Sequence, residues 1–174
     1  NSVENQWETL KDHADSPLVN RATQGIYPPG STFKTVTALA AMEHLSNWQS
    51  FTVECTGEMD FQDKVIHCYN NKAHGTVDMK AALAASCNCY FAALAKEIGP
   101  ANLAKTMRQV GMDTVSHFEL ETSMNNIYLA KGASESELVE TAIGQGRTGV
   151  TPLYMAMLAS AIANDGMMMQ PYIV

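Results

Sequence analysis

The sequence is poor in the features that mark several large classes of protein. Charged residues make up only 17% of its 174 residues, and acidic residues outnumber basic ones, for a net charge of -7. There is no basic stripe, and this balance argues against binding to nucleic acid. No uncharged run reaches the roughly 20 apolar residues that a membrane-spanning helix needs. The run over residues 81–95 also carries Ser86 and Asn88, which are polar.

Segments that alternate between apolar and polar residues, as strands do, are rare, so the chain cannot build a large sheet from its own residues. The length suits one domain with its own core. We therefore predict a mainly α fold. Residues 1–15 should form a polar surface segment with one helical turn, and residues 48–75 a hairpin or irregular excursion. The predicted helices cover residues 31–46, 79–86, 89–98, 101–110, 134–143 and 151–166.

The chain is organised around residues 25–34, Gly-Ile-Tyr-Pro-Pro-Gly-Ser-Thr-Phe-Lys. The prolines and the glycine end any preceding element, and Ser31 then opens an apolar periodic run. Ser31 is therefore expected at a helix N-terminus, where unpaired backbone N–H groups favour developing negative charge. Lys34 follows three residues later, so both side chains project from the same face. A hydroxyl beside an amine in a partly dry site is a minimal serine nucleophile with its base.

The Ser-x-x-Lys spacing also has an ordinary structural interpretation. Ser31 would then cap the helix, and Lys34 would be a solvated charge in the first turn. The pattern is short and common, so it identifies no enzyme by itself. The same holds for Ser86 and Asn88, which taken alone mark an ordinary break between two helices.

Taken together, the motifs are more specific. Residues 20–34 closely resemble the active-site segment of penicillin-binding proteins, the serine D,D-transpeptidases of the cell wall. Residues 86–88, Ser-Cys-Asn, resemble the family's second motif, Ser-x-Asn. Residues 143–146 and 150–153 resemble a further landmark before a long helix. The resemblance extends from about residue 16 to the C-terminus and is strongest to the class B enzymes of the family.

The family's third motif is missing, because no Lys-Thr-Gly or Lys-Ser-Gly occurs in the sequence. In relatives this motif lies on a strand of the other half of the domain and accompanies one of two oxyanion-hole donors. The resemblance thus implies the helical half of a β-lactamase/transpeptidase-like fold. Residues 1–25 would be a polar N-terminal segment and residues 26–174 the helical subdomain. We expect such a piece to be nearly inactive by itself. We also expect it to self-associate, or to form a domain-swapped dimer, through the apolar face around Ser31 that the sheet would cover.

The resemblance also implies roles for four side chains. Ser31 would be the acylated nucleophile and Lys34 its base, while Ser86 would relay a proton and Asn88 would bind the substrate backbone. The implied substrate is the D-Ala-D-Ala end of a peptidoglycan stem peptide, which β-lactams mimic. This catalysis requires no cofactor. Relatives work at the extracytoplasmic face of the bacterial cell membrane, anchored by an N-terminal segment that this sequence does not show.

Two other classes of protein share part of the pattern. Class D serine β-lactamases and penicillin sensors of the same fold also use Ser-Thr-Phe-Lys, the sequence of residues 31–34. Asn88 favours a transpeptidase, because class D enzymes place an apolar residue at that position. The remaining alternative is a structural or binding module without catalytic activity.

Three cysteines and one histidine form a separate pattern, C-x12-C-x5-H-x12-C. Cys55, Cys68, His74 and Cys87 would supply a complete tetrahedral ligand set for structural zinc. The spacings are wider than the C-x2-C pairs of zinc fingers. A Cys55–Cys68 disulfide would instead suit an oxidising setting, with Cys87 and Cys89 as buried thiols. From the sequence, zinc, the disulfide and four unlinked thiols all remain open.

Overall fold

The structure is a computed structural model that describes residues 2–115, 117–130 and 132–173. Within these ranges the chain is mainly helical, with two small antiparallel sheets of two strands each, so the predicted fold class is confirmed. No helix in the described ranges is both long enough and apolar enough to cross a lipid bilayer. The helices are α1 (Ser2–Lys11), α2 (Lys34–His44), α3 (Met79–Ala84), α4 (Asn88–Ile98), α5 (Pro100–Gln109), α6 (Glu135–Ala142) and α7 (Pro152–Ala163). The strands are β1 (Val53–Cys55), β2 (Glu58–Phe61), β3 (Lys64–His67) and β4 (Gly75–Val77).

Helix α4 is the centre of the core. It packs against α2, α5 and α6, and also against β1 and β3. Its alanines allow this close approach from several sides, while Tyr90 and Phe91 fill the space between elements, with ring centroids 5.3 Å apart in an edge-to-face arrangement. The buried residues of α4 are Cys89, Tyr90, Phe91, Ala92, Leu94, Ala95 and Ile98.

The excursion predicted over residues 48–75 is confirmed as strand structure. Strands β2 and β3 form a hairpin in which Phe61 pairs with Lys64, and β1 pairs with β4 so that Val53 lies opposite Val77. Strands β1 and β3 contact α4, and their buried residues are Val53, Cys55 and Ile66. The excursion is therefore part of the core rather than a surface loop.

Three predicted helix starts carry the capping contacts that their sequences indicate. The Asp78 side chain accepts a hydrogen bond from the backbone of Ala81 at 2.8 Å. Ser134 and Glu137 form a capping box at the start of α6. Thr151 caps α7, whose first residue is proline, by accepting from the backbone of Tyr154 at 3.1 Å.

The N-terminal prediction was wrong in extent, because the structure forms the ten-residue helix α1 where one helical turn was expected. Nearly all of its described side chains are exposed. A polar helix of this kind has no apolar stripe at helical spacing, which is the pattern that would have revealed it.

Two large apolar residues of α2 are not covered by the rest of the chain. The side chains of Leu39 and Met42 are 43% and 47% exposed. Beside them Ile162 of α7 is 60% exposed, and these residues border an open groove of about 250 Å³. The outer side of α2 and α7 is thus an apolar surface, which we call the α2–α7 face (Thr35, Leu39, Met42, Leu83, Leu158 and Ile162).

Candidate active site

Ser31 lies in a short 3-10 turn, Gly30–Phe33, immediately before α2. Ser31 was expected at a helix N-terminus, and it lies in this 3-10 turn, which leads directly into α2 at Lys34. Phe33 is completely buried and fixes the turn against the core. Backbone N–H groups in the first turn of a helix lack partners within the helix. The N–H group of Ser31 is therefore suited to donate a hydrogen bond to a negatively charged atom of a ligand.

A second segment, which includes Gly144 and Val150, packs against this turn. The backbone N–H of Gly30 donates to the carbonyl of Gly144 at 2.8 Å, and Tyr27 pairs with Val150 as an isolated antiparallel bridge. Gly144 has a φ of +73°, and a Cβ atom there would overlap the backbone of Gly30. The glycine-rich segment found in the sequence therefore lies directly against the Ser31 turn and requires glycine at residue 144.

The amine of Lys34 is the centre of the site, although the side chain is only 1% exposed. Its Nζ atom is 3.1 Å from the Oγ atom of Ser31, 2.9 Å from the Oγ atom of Ser86 and 2.6 Å from the Oδ1 atom of Asn88. It also lies 2.9 Å from the carbonyl oxygen of Ser86. The four residues singled out in the sequence thus meet at one nitrogen atom.

The environment of Lys34 favours the neutral amine. Burial lowers its pKa from 10.5 to about 8, and negative charge on the thiols of Cys68, Cys87 and Cys89 opposes part of that shift. An amine with a pKa of about 8 is neutral in a substantial fraction of molecules near neutral pH. Lys34 can therefore accept a proton from a neighbouring hydroxyl, which an ordinary surface lysine cannot do at that pH.

Ser86 and Asn88 are held by the connection between α3 and α4. Ser86 has a φ of +52°, a left-handed conformation that is uncommon for serine, and the amide of Cys87 donates to the carbonyl of Ala82 at 2.8 Å. Asn88 is the first residue of α4, so the prediction that it lies in the turn is off by one residue. This connection aims both side chains at Lys34.

The amide of Asn88 has two protein partners. Its Oδ1 atom accepts from Lys34, and its Nδ2 atom donates to the carbonyl oxygen of His67 at 2.8 Å, at the end of β3. An asparagine amide has two hydrogens and two lone pairs, so one of each remains for a ligand. The predicted contact with substrate is compatible with this geometry, and a positioning role toward Lys34 is added to it. No sequence motif indicates the His67 carbonyl as a partner.

An open cleft of about 530 Å³ surrounds Ser31. It is bounded on one side by the turn with Ser86 and on another by the segment that follows β3. The residues that line it are Ser31, His67, Cys68, Tyr69, Lys72, His74, Ala85, Ser86, Asn88 and Gln145. No sequence motif assigns a role to His67, Tyr69, Lys72, Ala85 or Gln145 among these residues.

Behind the cleft the four candidate metal ligands meet. The donor atoms of Cys55, Cys68, His74 and Cys87 all lie within 4.8 Å of one another. The Sγ atoms of Cys55 and Cys68 are 3.7 Å apart, and those of Cys68 and Cys87 are 3.8 Å apart. A disulfide has an S–S distance of about 2.05 Å, so all four thiols of the chain are free in this structure.

Cys89 lies at the edge of this cluster. Its Sγ atom is 3.6 Å from that of Cys68, but it does not belong to the set of four mutually close donors. A hydrogen bond from the Cys89 thiol lowers the pKa of Cys87, and the same contact raises the pKa of Cys89. The exclusion of Cys89 from the predicted ligand set agrees with this arrangement.

Comparison with known proteins identifies the family to which this site belongs. Residues 2–174 match the family model of the penicillin binding protein transpeptidase domain, and the chain belongs to that family. The chain is 29% identical over 179 residues to the peptidoglycan D,D-transpeptidase MrdA of Acinetobacter baumannii, covering 96% of this chain and 26% of MrdA. It is 33% identical over 172 residues to the peptidoglycan D,D-transpeptidase PbpA of Mycolicibacterium smegmatis, covering 97% of this chain and 35% of PbpA.

Solved structures show the same relationship. The penicillin G acyl-enzyme complex of penicillin-binding protein A from M. tuberculosis superposes with a TM-score of 0.87 at 30% identity. The match covers 98% of this chain and 40% of that protein. The chain therefore spans well under half the length of these relatives. The relatives named here are transpeptidases rather than β-lactamases, as Asn88 led us to expect.

Proposed function

We propose that this chain provides the nucleophile-bearing half of a peptidoglycan D,D-transpeptidase. The observation that carries the proposal is the buried amine of Lys34, which lies within hydrogen-bond distance of the hydroxyls of both Ser31 and Ser86. For a lysine with a purely structural role this placement is costly, since burial of its charge costs free energy. A lysine that must lose its proton gains a lowered pKa from the same burial.

The reaction would have two steps. The neutral amine of Lys34 takes the proton of Ser31 as the Oγ atom attacks the carbonyl between the two D-alanines of a stem peptide. The bond to the terminal D-alanine then breaks, and its nitrogen leaves with a proton that Lys34 returns through the hydroxyl of Ser86. An amine of a second stem peptide attacks the acyl-Ser31 ester, loses its proton to the same pair and forms the cross-link. The ester bond to Ser31 breaks as this amide forms, and the Oγ atom of Ser31 regains a proton from Lys34.

The backbone amide of Ser31 would stabilise the oxyanion of the tetrahedral intermediate, because it lies in the first turn before α2. The remaining hydrogen of the Asn88 amide would hold the substrate backbone. β-Lactams would acylate Ser31 by the same first step and remain as a stable ester. We place this activity at the extracytoplasmic face of the bacterial membrane, with a membrane anchor elsewhere in the protein, because the relatives are named for peptidoglycan synthesis.

A chimera tests the function. Residues 2–174 would replace the aligned segment of the A. baumannii MrdA protein, and a fluorescent penicillin would be added. We expect one penicilloyl group per chain, located on Ser31 by peptide mapping, and none in the Ser31→Ala chimera. The Ser123→Ala chimera, altered at a serine outside the cleft, should label normally. A chimera that melts cooperatively but carries its label elsewhere, or carries none, would contradict the proposal.

We also propose that Cys55, Cys68, His74 and Cys87 hold a structural zinc ion. Four ligands around tetrahedral zinc with Zn–S bonds of about 2.3 Å place their sulfur atoms about 3.8 Å apart, and the thiols already have such separations. Zinc would connect β1, the end of β3 and the start of α4. Because Cys87 lies between Ser86 and Asn88 in the sequence, the ion would steady both catalytic-site side chains without taking part in the chemistry.

A further inference from the structure

The cleft lacks the acidic groups that dominate the chain. The chain has a net charge of -7, but the residues that line the cleft around Ser31 include no carboxylate. The lining includes instead the lysine Lys72. A cleft of this kind favours a ligand with negative charge, since the acidic groups elsewhere on the surface repel one.

Lys72 carries a positive charge that no neighbouring residue among those described neutralises. Within the described part of the chain its ammonium group has no ion pair or hydrogen bond, and its side chain is exposed to the cleft. His67, by contrast, is paired with Glu58 at 3.3 Å. Lys72 is thus the residue with charge available for a ligand.

Lys72 belongs to a short segment with a fixed shape, Tyr69–Lys72, which we call the rim segment. The backbone N–H of Asn71 donates to the carbonyl of Cys68 at 3.0 Å, and that of Lys72 donates to the carbonyl of Tyr69 at 3.1 Å. The carbonyl of Asn71 rests against Gly57, where a Cβ atom would overlap it. The segment therefore needs no ligand to adopt its conformation, which favours binding.

The rim segment also presents an aromatic ring. The side chain of Tyr69 is 85% exposed, although it lines the cleft. An aromatic ring left in water beside a free cation has no role in the stability of this fold. The same pair suits a ligand that carries an acidic group next to an apolar stem.

The position of the rim segment relative to the nucleophile follows from hydrogen bonds. Lys34 contacts both Ser31 and Asn88, and Asn88 in turn donates to the carbonyl of His67. The rim segment begins two residues after His67. A peptide that is attacked at Ser31 and whose preceding residues run past Asn88 therefore meets the rim segment with residues upstream of the attacked bond.

We propose that the rim segment is a specificity element that recognises a side carboxylate of the peptide substrate. Lys72 would pair with a carboxylate that the peptide carries upstream of its D-Ala-D-Ala end, and the ring of Tyr69 would pack on the adjoining apolar atoms. This inference rests on the proposed function, because it assumes that the peptide reaches Ser31. It assigns to the chain a preference for acidic over amidated stem peptides.

Two peptides and four proteins test the proposal. The peptides are L-Ala-D-Glu-L-Lys-D-Ala-D-Ala and its D-Gln counterpart, both labelled with the same fluorophore, and binding to the Ser31→Ala form of the MrdA chimera, which supplies the missing motif and cannot be acylated at Ser31, is followed by fluorescence anisotropy at low salt. We expect the D-Glu peptide to bind about threefold more tightly, the size typical of one exposed charge pair. The Lys72→Gln variant should bind both peptides equally, and Lys72→Arg should keep the preference.

The matched control is Lys80→Gln, which removes another exposed lysine, on α3, outside the cleft. It should retain the full preference for the D-Glu peptide. The proposal is overturned if the Ser31→Ala chimera shows no preference or binds neither peptide, or if Lys72→Gln keeps the preference. Acylation of Ser31 in the MrdA chimera is measured separately, so a chimera that acylates while the preference is missing refutes this inference alone.

Discussion

The Nζ atom of Lys34 lies 3.1 Å from the Oγ atom of Ser31, one turn back along the chain. This contact is made by a lysine that is only 1% exposed, and its pKa is lowered from 10.5 to about 8 because burial disfavours the charge. Because of the short distance and the lowered pKa, Lys34 can act as a base and Ser31 as the nucleophile that it activates. Neither property is visible from the Ser-x-x-Lys spacing alone.

The bare chain should react poorly with penicillin. It contains no Lys-Thr-Gly motif, so one oxyanion-hole donor and the strand that aligns the substrate are not supplied by these residues. Loss of one such donor costs roughly 100- to 1000-fold in rate. Intact-mass spectrometry after incubation with benzylpenicillin should therefore show acylation at least that much slower than in the MrdA chimera. Rapid stoichiometric labelling of the 174-residue chain would show that the missing motif is dispensable.

The close contact between Gly144 and Gly30 should be sensitive to a single methyl group. We expect Gly144→Ala to lower the free energy of unfolding by about 2 kcal/mol more than Gly166→Ala does. Both glycines have a positive φ, but a Cβ atom at residue 166 meets no atom within 4 Å, so the control isolates the overlap. Urea denaturation of both variants provides the measurement. Equal losses of unfolding free energy in the two variants would mean that the turn containing Ser31 moves to make room for the methyl group without cost.

The zinc proposal predicts one metal ion per chain and four thiols that react after denaturation with a chelator, since the chain has four cysteines. Elemental analysis and thiol counting measure the two quantities. Cys68→Ser should lose the metal, and Cys89→Ser should retain it, because Cys89 lies outside the set of mutually close donors. A preparation with no metal and only two reactive thiols would establish a disulfide instead.

The α2–α7 face should drive self-association. Several of its apolar side chains are exposed beside one another, and an apolar surface of this kind is rare on monomers. Sedimentation velocity should show dimers or larger species that Leu39→Glu converts to monomer. Leu120→Glu changes a similarly exposed leucine outside this face and should leave association intact. A clean monomer before any substitution would argue against the prediction.

The sequence predicted the parts of the fold that depend on local chemistry. The caps at Asp78, Ser134 and Thr151 formed as expected, because a capping side chain and its helix lie only a few residues apart. The exposure of Leu39 and Met42 could not be predicted in this way. Periodicity shows that one side of a helix is apolar, but it does not show whether the covering element belongs to the same chain.

The site was predictable in its residues but not in its contacts. The motifs identified Ser31, Lys34, Ser86 and Asn88, and the structure brings all four together at one amine. The bond from Asn88 to the carbonyl of His67 is a backbone contact, which no side-chain motif records. The position of the rim segment could not be predicted either, because it depends on how the β2–β3 hairpin packs against α4.

The most direct test of the account is the pKa of Lys34. The carbon and proton signals of its Cε group can be followed by NMR as the pH is raised, with Lys34→Met used to assign them. Because burial lowers the pKa, the ammonium should lose its proton at a lower pH than a surface lysine, with a midpoint of about 8. The neutral base, and with it acylation of the chimera, should then increase as the pH rises through that value. A midpoint near 10.5, the usual value for lysine, would show that Lys34 is a charged structural residue and would contradict its role as the base.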